Sequence, residues 1–195
     1  MSELLLQPTP NWFTSRPIDI CQKTGTIASS AICSILLTDN LFEKYNSTIK
    51  DAHSKRIVAL AFHSNNKATT NLLASCSEDL EIKVWNIQTG LVVNQHSFHQ
   101  NVPTCLDWLK FDIKEEESQI DLILFSCDFK GNIFKWNLNT NSHTRYFPEN
   151  KPITQVKSCP NKHIIAVGYK QGIIVILGII HNSYIFNKIT IYIRK

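Results

Sequence analysis

The sequence has no C-x-x-C pair, and long, uneven gaps separate its six cysteines. Zinc sites and small disulfide-rich domains need tighter and more regular spacing, so the pattern excludes both as the basis of the fold. Most of the cysteines lie inside apolar runs, which predicts reduced core residues in a cytosolic or nuclear protein. They are Cys21, Cys33, Cys76, Cys105, Cys127 and Cys159.

Long hydrophobic runs are also missing. The longest apolar run, at 172–180, is about half the roughly 18 residues that a membrane-spanning helix needs. The N-terminal "MSELLLQPTP" has no basic region before its leucines, which argues against a signal peptide. We therefore expect no membrane segment.

The motifs of common enzyme classes are missing as well. The sequence contains no glycine-rich phosphate loop, no metal-ligand spacing and no paired-carboxylate motif. We therefore expect no catalytic residue, no cofactor, no metal and no small-molecule substrate. The net charge of +4 is compatible with nucleic acid but is too small to indicate it.

Short β-strands are what the sequence does contain. Runs rich in β-branched and apolar residues alternate with polar turns, and no helical period lasts beyond a couple of turns, which predicts an all-β chain. The predicted strands are 57–62, 71–77, 81–87, 104–109, 121–127, 132–138, 153–159, 163–169 and 172–177, with two more in 25–38 and an outer strand in 41–51.

A repeat unites these strands. Three segments share the order strand, polar break, strand, tight turn and strand, and they end at Trp85, Trp136 and Leu177, which are 51 and 41 residues apart. A period near 40 is typical of β-propeller blades. The sequence therefore predicts an incomplete propeller of about three blades, together with strands of a blade that closes a ring. The three repeats are 52–94, 96–140 and 148–177.

The stretch "LLASCSEDLEIKVWN" at 72–86 resembles the WD repeat. That resemblance implies a buried hydrogen-bond set formed by His53, Ser75, Asp79 and Trp85. Buried polar groups persist where each satisfies the next, so we expect a structural role inside the sheet stack and not a hydrolytic triad.

The polar set decays along the chain. In the second repeat His99, Ser126 and Trp136 are kept, but Lys130 stands where aspartate is expected, so the polar chain is not expected to form in the same way. In the third repeat apolar packing is expected to replace it, because the serine, aspartate and tryptophan places are taken by Val167, Gln171 and Leu177.

Tight turns punctuate the three repeats at equivalent places. Gly131 and Gly172 supply the residue with positive φ that such turns favour, whereas Leu80 occupies that place in the first repeat. Leucine is disfavoured in that conformation, so it argues against the assignment of a tight turn in the first repeat.

Four stretches together resemble the gem-associated WD-repeat family, which recognises small nuclear RNAs in the survival-of-motor-neuron (SMN) complex. They are "PNWF", "HSFHQNVPTCLDW", "SCDFKGNIFKW" and "IIAVGYKQGIIVI". The resemblance implies an N-terminal arm at 1–17, a partial WD40 propeller at 18–177 and a divergent tail at 178–195. Because the family would continue into a further blade at the tail, we expect a truncated chain.

The family also implies an RNA-binding module that recognises the Sm site and cap of pre-snRNAs for snRNP assembly. In that family an N-terminal aromatic pair, here Trp12 and Phe13, stacks on bases of the uridine-rich site. Lys130 and Lys170 lie in tight turns and are the lysines predicted to contact phosphate. The implied partners are snRNA and proteins of the SMN complex, in the cytoplasm and in nuclear gems.

A different hypothesis for Trp12 and Phe13 is that they cap the propeller. The chain would then be a WD40 protein-interaction scaffold without RNA binding, because the fold alone does not set the function.

Overall fold

The chain is described by a computed structural model that covers residues 17–38, 45–63, 72–109, 122–147, 149–159, 162, 164–179 and 185–192. Within these ranges the secondary structure is all β-strand, and none of it is a helix long and apolar enough to cross a membrane. The strands are β1 (Ile18–Ile20), β2 (Ile27–Ala31), β3 (Ser34–Thr38), β4 (Tyr45–Ile49), β5 (Ile57–Phe62), β6 (Leu72–Ser77), β7 (Ile82–Asn86), β8 (Leu91–His96), β9 (Pro103–Trp108), β10 (Ile123–Asp128), β11 (Ile133–Asn137), β12 (Ser142–Tyr146), β13 (Ile153–Ser158), β14 (Ile164–Tyr169), β15 (Ile173–Ile179) and β16 (Ile185–Tyr192).

These strands form four antiparallel sheets of four, each built from consecutive strands. We call them blade 1 (β1–β4), blade 2 (β5–β8), blade 3 (β9–β12) and blade 4 (β13–β16). The prediction of an all-β, incomplete WD40 propeller is confirmed. The strands expected for a ring-closing blade belong, together with the short β1, to a complete sheet of their own.

The first strand of each blade lies on the inside of an open arc. These strands contact one another in order, β1 with β5, β5 with β9 and β9 with β13. The last strands lie outside, and most residues of β8 and β12 are exposed. Every residue of the second strands β6 and β10 is buried, because neighbours cover both faces of each strand.

Three hydrophobic clusters hold the arc together, and each lies between two neighbouring blades. One joins blades 1 and 2 around Ile35 and Leu73, and the next joins blades 2 and 3 around Val84 and Trp108. The third joins blades 3 and 4 around Phe125. Because apolar burial is the main favourable term in folding, these interfaces supply most of the stability of the arc.

Hydrogen bonds also tie each inner strand to the next. In each tie an N–H group of one blade donates to an oxygen of the blade before it. The ties are Phe62 N to Asp19 Oδ2 at 2.6 Å, Trp108 Nε1 to Ala61 O at 2.9 Å, and Ser158 N to Asp107 Oδ2 at 2.6 Å.

The segment predicted as a divergent tail contributes to blade 4. Residues Ile185–Tyr192 form β16, which pairs with β15 as the outer strand. Strand pairing uses backbone groups that every residue except proline supplies, so it needs no repeat template in the sequence.

Candidate functional site

One edge of the arc brings together the turns and connections that contain the predicted site residues. We call it the upper rim. It consists of the turns after the second strands, at 32–33, 78–81, 129–132 and 170–172, and of the described parts of the connections between blades, at 50–56, 97–102, 147 and 149–152. Pro17, where the chain enters β1, lies at the same edge because β1 runs antiparallel to β2. The opposite edge is the lower rim.

Equivalent backbone hydrogen bonds brace the upper rim in three blades. In each, the turn after the second strand donates an N–H to the connection that enters the blade. The bonds are Glu78 N to Arg56 O at 3.0 Å, Phe129 N to Val102 O at 3.2 Å, and Lys170 N to Pro152 O at 3.0 Å. One structural position therefore holds an acidic, an aromatic and a basic residue in successive blades.

The blade 2 polar set is a linear chain of hydrogen bonds. Trp85 Nε1 donates to Ser75 Oγ at 2.8 Å, and Ser75 Oγ lies 2.8 Å from His53 Nε2. His53 Nδ1 lies 3.0 Å from Asp79 Oδ2. A neutral His53 protonated on Nδ1 satisfies every link, because Nε2 then accepts from the serine hydroxyl and Nδ1 donates to the carboxylate.

Burial and hydrogen bonding set the charges of this set. Burial lowers the pKa of His53 below its ordinary value of 6.5 and outweighs the opposing attraction of Asp79. Burial alone would raise the pKa of Asp79, but the amide N–H groups of Glu81 and Ser54, together with His53, more than offset it, so that pKa is lowered.

This geometry serves structure and leaves no reactive group free. Ser75 is fully buried, and its hydroxyl is shared between His53 and Trp85. Ligand atoms of His53, Asp79 and Glu81 lie within 4.8 Å of one another, as a metal site would require. Both ring nitrogens of His53 are already hydrogen-bonded, however, and Glu81 pairs with Lys83 at 3.2 Å. A metal would have to break these bonds.

The depressed pKa of His53 predicts that the chain loses stability as the solution is acidified. Below pH 6.5 this histidine binds a proton in the unfolded chain but stays neutral in the folded chain. The free energy of unfolding is therefore highest above pH 6.5 and falls as the pH approaches the lower pKa of the folded state. Urea unfolding at several pH values measures the effect. In His53→Gln the decline should be smaller, and part of the remainder belongs to His96, whose pKa is also lowered by burial and by His143. An unchanged pH profile in His53→Gln would contradict the assignment.

Blade 3 rebuilds the polar set with a different carboxylate. His99 Nε2 lies 2.8 Å from Ser126 Oγ, and His99 Nδ1 lies 3.3 Å from Asp128 Oδ2. As expected from Lys130 at the usual aspartate place, the polar chain does not form in the same way as in blade 2, although the histidine keeps a serine and a carboxylate partner. Asp128 occupies the place of Ser77 in blade 2, two residues before the usual aspartate position, and its side chain reaches the same histidine.

Asp128 is fully buried and accepts several hydrogen bonds besides the contact with His99. The amide N–H groups of Lys130 and Asn132 donate to its Oδ1 at 2.9 and 3.0 Å, and the Asn132 side chain donates to Oδ2 at 2.7 Å. Burial would raise its pKa, but His99 and the two N–H donors of Asn132 lower it below the usual value. The tryptophan leaves the chain, because Trp136 Nε1 donates to Asn141 Oδ1 at 3.3 Å instead.

Blade 4 replaces the polar set with apolar packing. Val167 and Leu177 are buried in the cluster between blades 3 and 4, and Gln171 is exposed.

The tight turns after the second strands of blades 2, 3 and 4 keep a common backbone, with positive φ of 72° at Leu80, 96° at Gly131 and 75° at Gly172. The leucine accepts a strained conformation that glycine adopts freely.

Lys130 and Lys170, the two predicted phosphate contacts, are both exposed at the upper rim. Within the described part of the chain neither ammonium group has an ion-pair partner, whereas in blade 2 Arg56 pairs with Glu78 and Lys83 with Glu81. Lys130 and Lys170 therefore present free positive charge at the rim of blades 3 and 4. Trp12 and Phe13 lie outside the described residues.

Sequence reasoning missed two aromatic residues at this rim. Phe129 and Phe147 are 51% and 50% exposed, in the turn between β10 and β11 and directly after β12. The Arg145 guanidinium carbon lies 5.9 Å from the Phe147 ring centre. The aromatic–lysine–glycine turn "FKG" at 129–131 was the available signal, because a large apolar residue is unusual in an exposed tight turn.

Four blades joined through their first strands, with a histidine–serine–aspartate set in two of them, form the fold of an incomplete WD40 β-propeller. The family model "WD domain, G-beta repeat" matches residues 44–86, which include the complete blade 2 polar set.

Two relatives extend the similarity over most of the chain. Gem-associated protein 5 of Mus musculus is 29% identical over 196 residues, which cover 94% of this chain and 12% of the mouse protein. The Homo sapiens protein of the same name is 26% identical with the same coverage. The target of rapamycin complex subunit wat1 of Schizosaccharomyces pombe is 27% identical over 124 residues, 63% of this chain and 35% of that protein. The chain spans about an eighth of the length of the gem-associated relatives.

Proposed function

We propose that this chain is an RNA-binding WD40 module that recognises single-stranded, uridine-rich RNA. The observation that supports the proposal most is the placement of Lys130 and Lys170 on one rim, exposed and without ion-pair partners among the described residues. Unpaired cations on the same rim as Pro17, where the chain enters β1, suit a single strand, because the phosphates need positive charge and the bases need flat partners.

Similarity to gem-associated protein 5 gives the proposal its biological setting. We propose snRNA with its Sm site and cap as the ligand, proteins of the SMN complex as partners, and snRNP assembly in the cytoplasm and nuclear gems as the process. Trp12 and Phe13 are proposed to stack on uridines, and each stack should contribute about 1–3 kcal/mol.

The proposal is tested by fluorescence anisotropy with a labelled uridine oligonucleotide of about 15 nucleotides. Trp12→Ala and Phe13→Ala should each weaken binding about 10-fold. Lys130→Gln and Lys170→Gln should each lower the slope of log affinity against log salt by about 0.7. Lys162→Gln, which removes an exposed lysine at the lower rim, is the matched control and should change neither quantity.

Protein scaffolding is the second candidate function, and the outer strand β8 favours it. Leu91, Val92 and Val93 are 68%, 41% and 53% exposed on this edge strand, where an extended partner segment could pair. Unchanged RNA affinity in all four rim and arm variants would favour scaffolding.

A further inference from the structure

Phe129 and Phe147 belong to segments that touch each other. The close contact is at Gly131, where a Cβ atom would lie 2.2 Å from the carbonyl oxygen of Glu149 and 2.9 Å from that of Lys151. Phe129 is two residues before this contact, and Phe147 is two residues before Glu149. Both half-exposed phenylalanines therefore lie close to the point where the blade 3 turn contacts the connection into blade 4.

The backbone around this crossing is fixed by hydrogen bonds. Phe129 N–H donates to Val102 O at 3.2 Å, and Gly131 N–H donates to Asp128 O at 3.2 Å. In the facing connection, Lys151 N–H donates to Glu149 O at 2.9 Å. Rings mounted on braced turns lose little entropy when a ligand covers them.

Positive charge surrounds the two rings. Lys130 follows Phe129 directly, Arg145 lies against Phe147, and Lys170 is joined to the same connection through its bond to Pro152. Among the described residues of this strip the accessible carboxylate is Glu149, and Lys151 lies 3.6 Å from it. We call the set Phe129, Lys130, Arg145, Phe147, Lys151 and Lys170 the aromatic strip.

We infer that the aromatic strip is a second stacking site for single-stranded RNA, separate from Trp12 and Phe13. Unpaired bases stack on Phe129 and Phe147, and their phosphates contact the surrounding lysines. This inference rests on the proposed RNA-binding function and adds the residues of blades 3 and 4 to it. Exposed rings beside positive side chains, of which Lys130 and Lys170 have no ion-pair partner among the described residues, match a strand of alternating bases and phosphates. An apolar peptide would gain nothing from the charges.

The test separates stacking from simple apolar contact. The uridine oligonucleotide is titrated against Phe129→Leu and Phe147→Leu, which keep an apolar side chain without a π face, and against the matching tryptophan variants, which keep the face. Each leucine variant should bind about 10-fold more weakly, and each tryptophan variant should bind as tightly as the natural chain. Leu91→Ala removes a still more exposed apolar side chain from β8 and should have no effect.

A second measurement reports stacking directly. The indole added by Phe129→Trp should lose fluorescence when the oligonucleotide binds, beyond any change in the natural chain. Leucine variants that bind normally, or an added indole that keeps its emission, would overturn the inference. If binding is then still lost in Trp12→Ala and Phe13→Ala, the proposed function stands without this site. If the natural chain binds no oligonucleotide, both proposals fail.

Discussion

Gly131→Ala will lower the free energy of unfolding by about 3 kcal/mol, the sum of a strained backbone and a steric clash. The residue has a φ of 96°, which alanine disfavours, and the new methyl group would lie 2.2 Å from the Glu149 carbonyl oxygen. That neighbour is backbone and cannot rotate away as a side chain would. The turn of blade 3 and the connection into blade 4 must therefore separate.

Gly90→Ala is the matched control. Gly90 has a similar positive φ of 69°, but a Cβ atom there would meet nothing within 4 Å. It should cost only the backbone strain, about 1 kcal/mol. Urea unfolding of the two variants and the natural chain isolates the clash. Equal losses of stability in both variants would show that the rim is not tightly packed at Gly131.

Asp128→Ser will destabilise the chain by about 3 kcal/mol, because it removes a buried carboxylate that several donors share. Serine is the residue at the equivalent place in blade 2, so the change is compatible with the backbone. It leaves the Asn132 amide and His99 without their acceptor.

Adding Lys130→Asp to Asp128→Ser should recover about half of that loss. The double variant reproduces blade 2, where the aspartate two residues later contacts the loop histidine and Ser77 Oγ accepts from its amide. Coupled residues of one network depart from additivity in this way. A double variant that is less stable than Asp128→Ser alone would mean that the two arrangements are not interchangeable.

The strands that the sequence predicted are those with an apolar pattern. β6 and β10 were evident because neighbours cover both faces and, apart from Asp128 at the end of β10, every position is apolar or small. β12, with the sequence "SHTRY", gave no signal because an outer strand faces water. β1 has only three residues, too few for any period, and pairing with β2 fixes it as a strand.

The polar sets show how far a sequence template extends. The blade 2 residues match the WD repeat, and the structure brings them within hydrogen-bonding distance. In blade 3 the carboxylate belongs to Asp128, two residues before the position aligned with Asp79. A repeat template that expects aspartate at a fixed position therefore does not identify it. What is kept is the place of the oxygen atoms around His99, which depends on side-chain reach and not on position in the sequence.

The three apolar clusters also determine how local unfolding propagates from one blade to the next. Each cluster involves two adjacent blades, so the stability of each blade is coupled directly only to that of its neighbours in the arc. A destabilising substitution in blade 3 weakens its interfaces with blades 2 and 4 directly. It affects blade 1 only if blade 2 also unfolds.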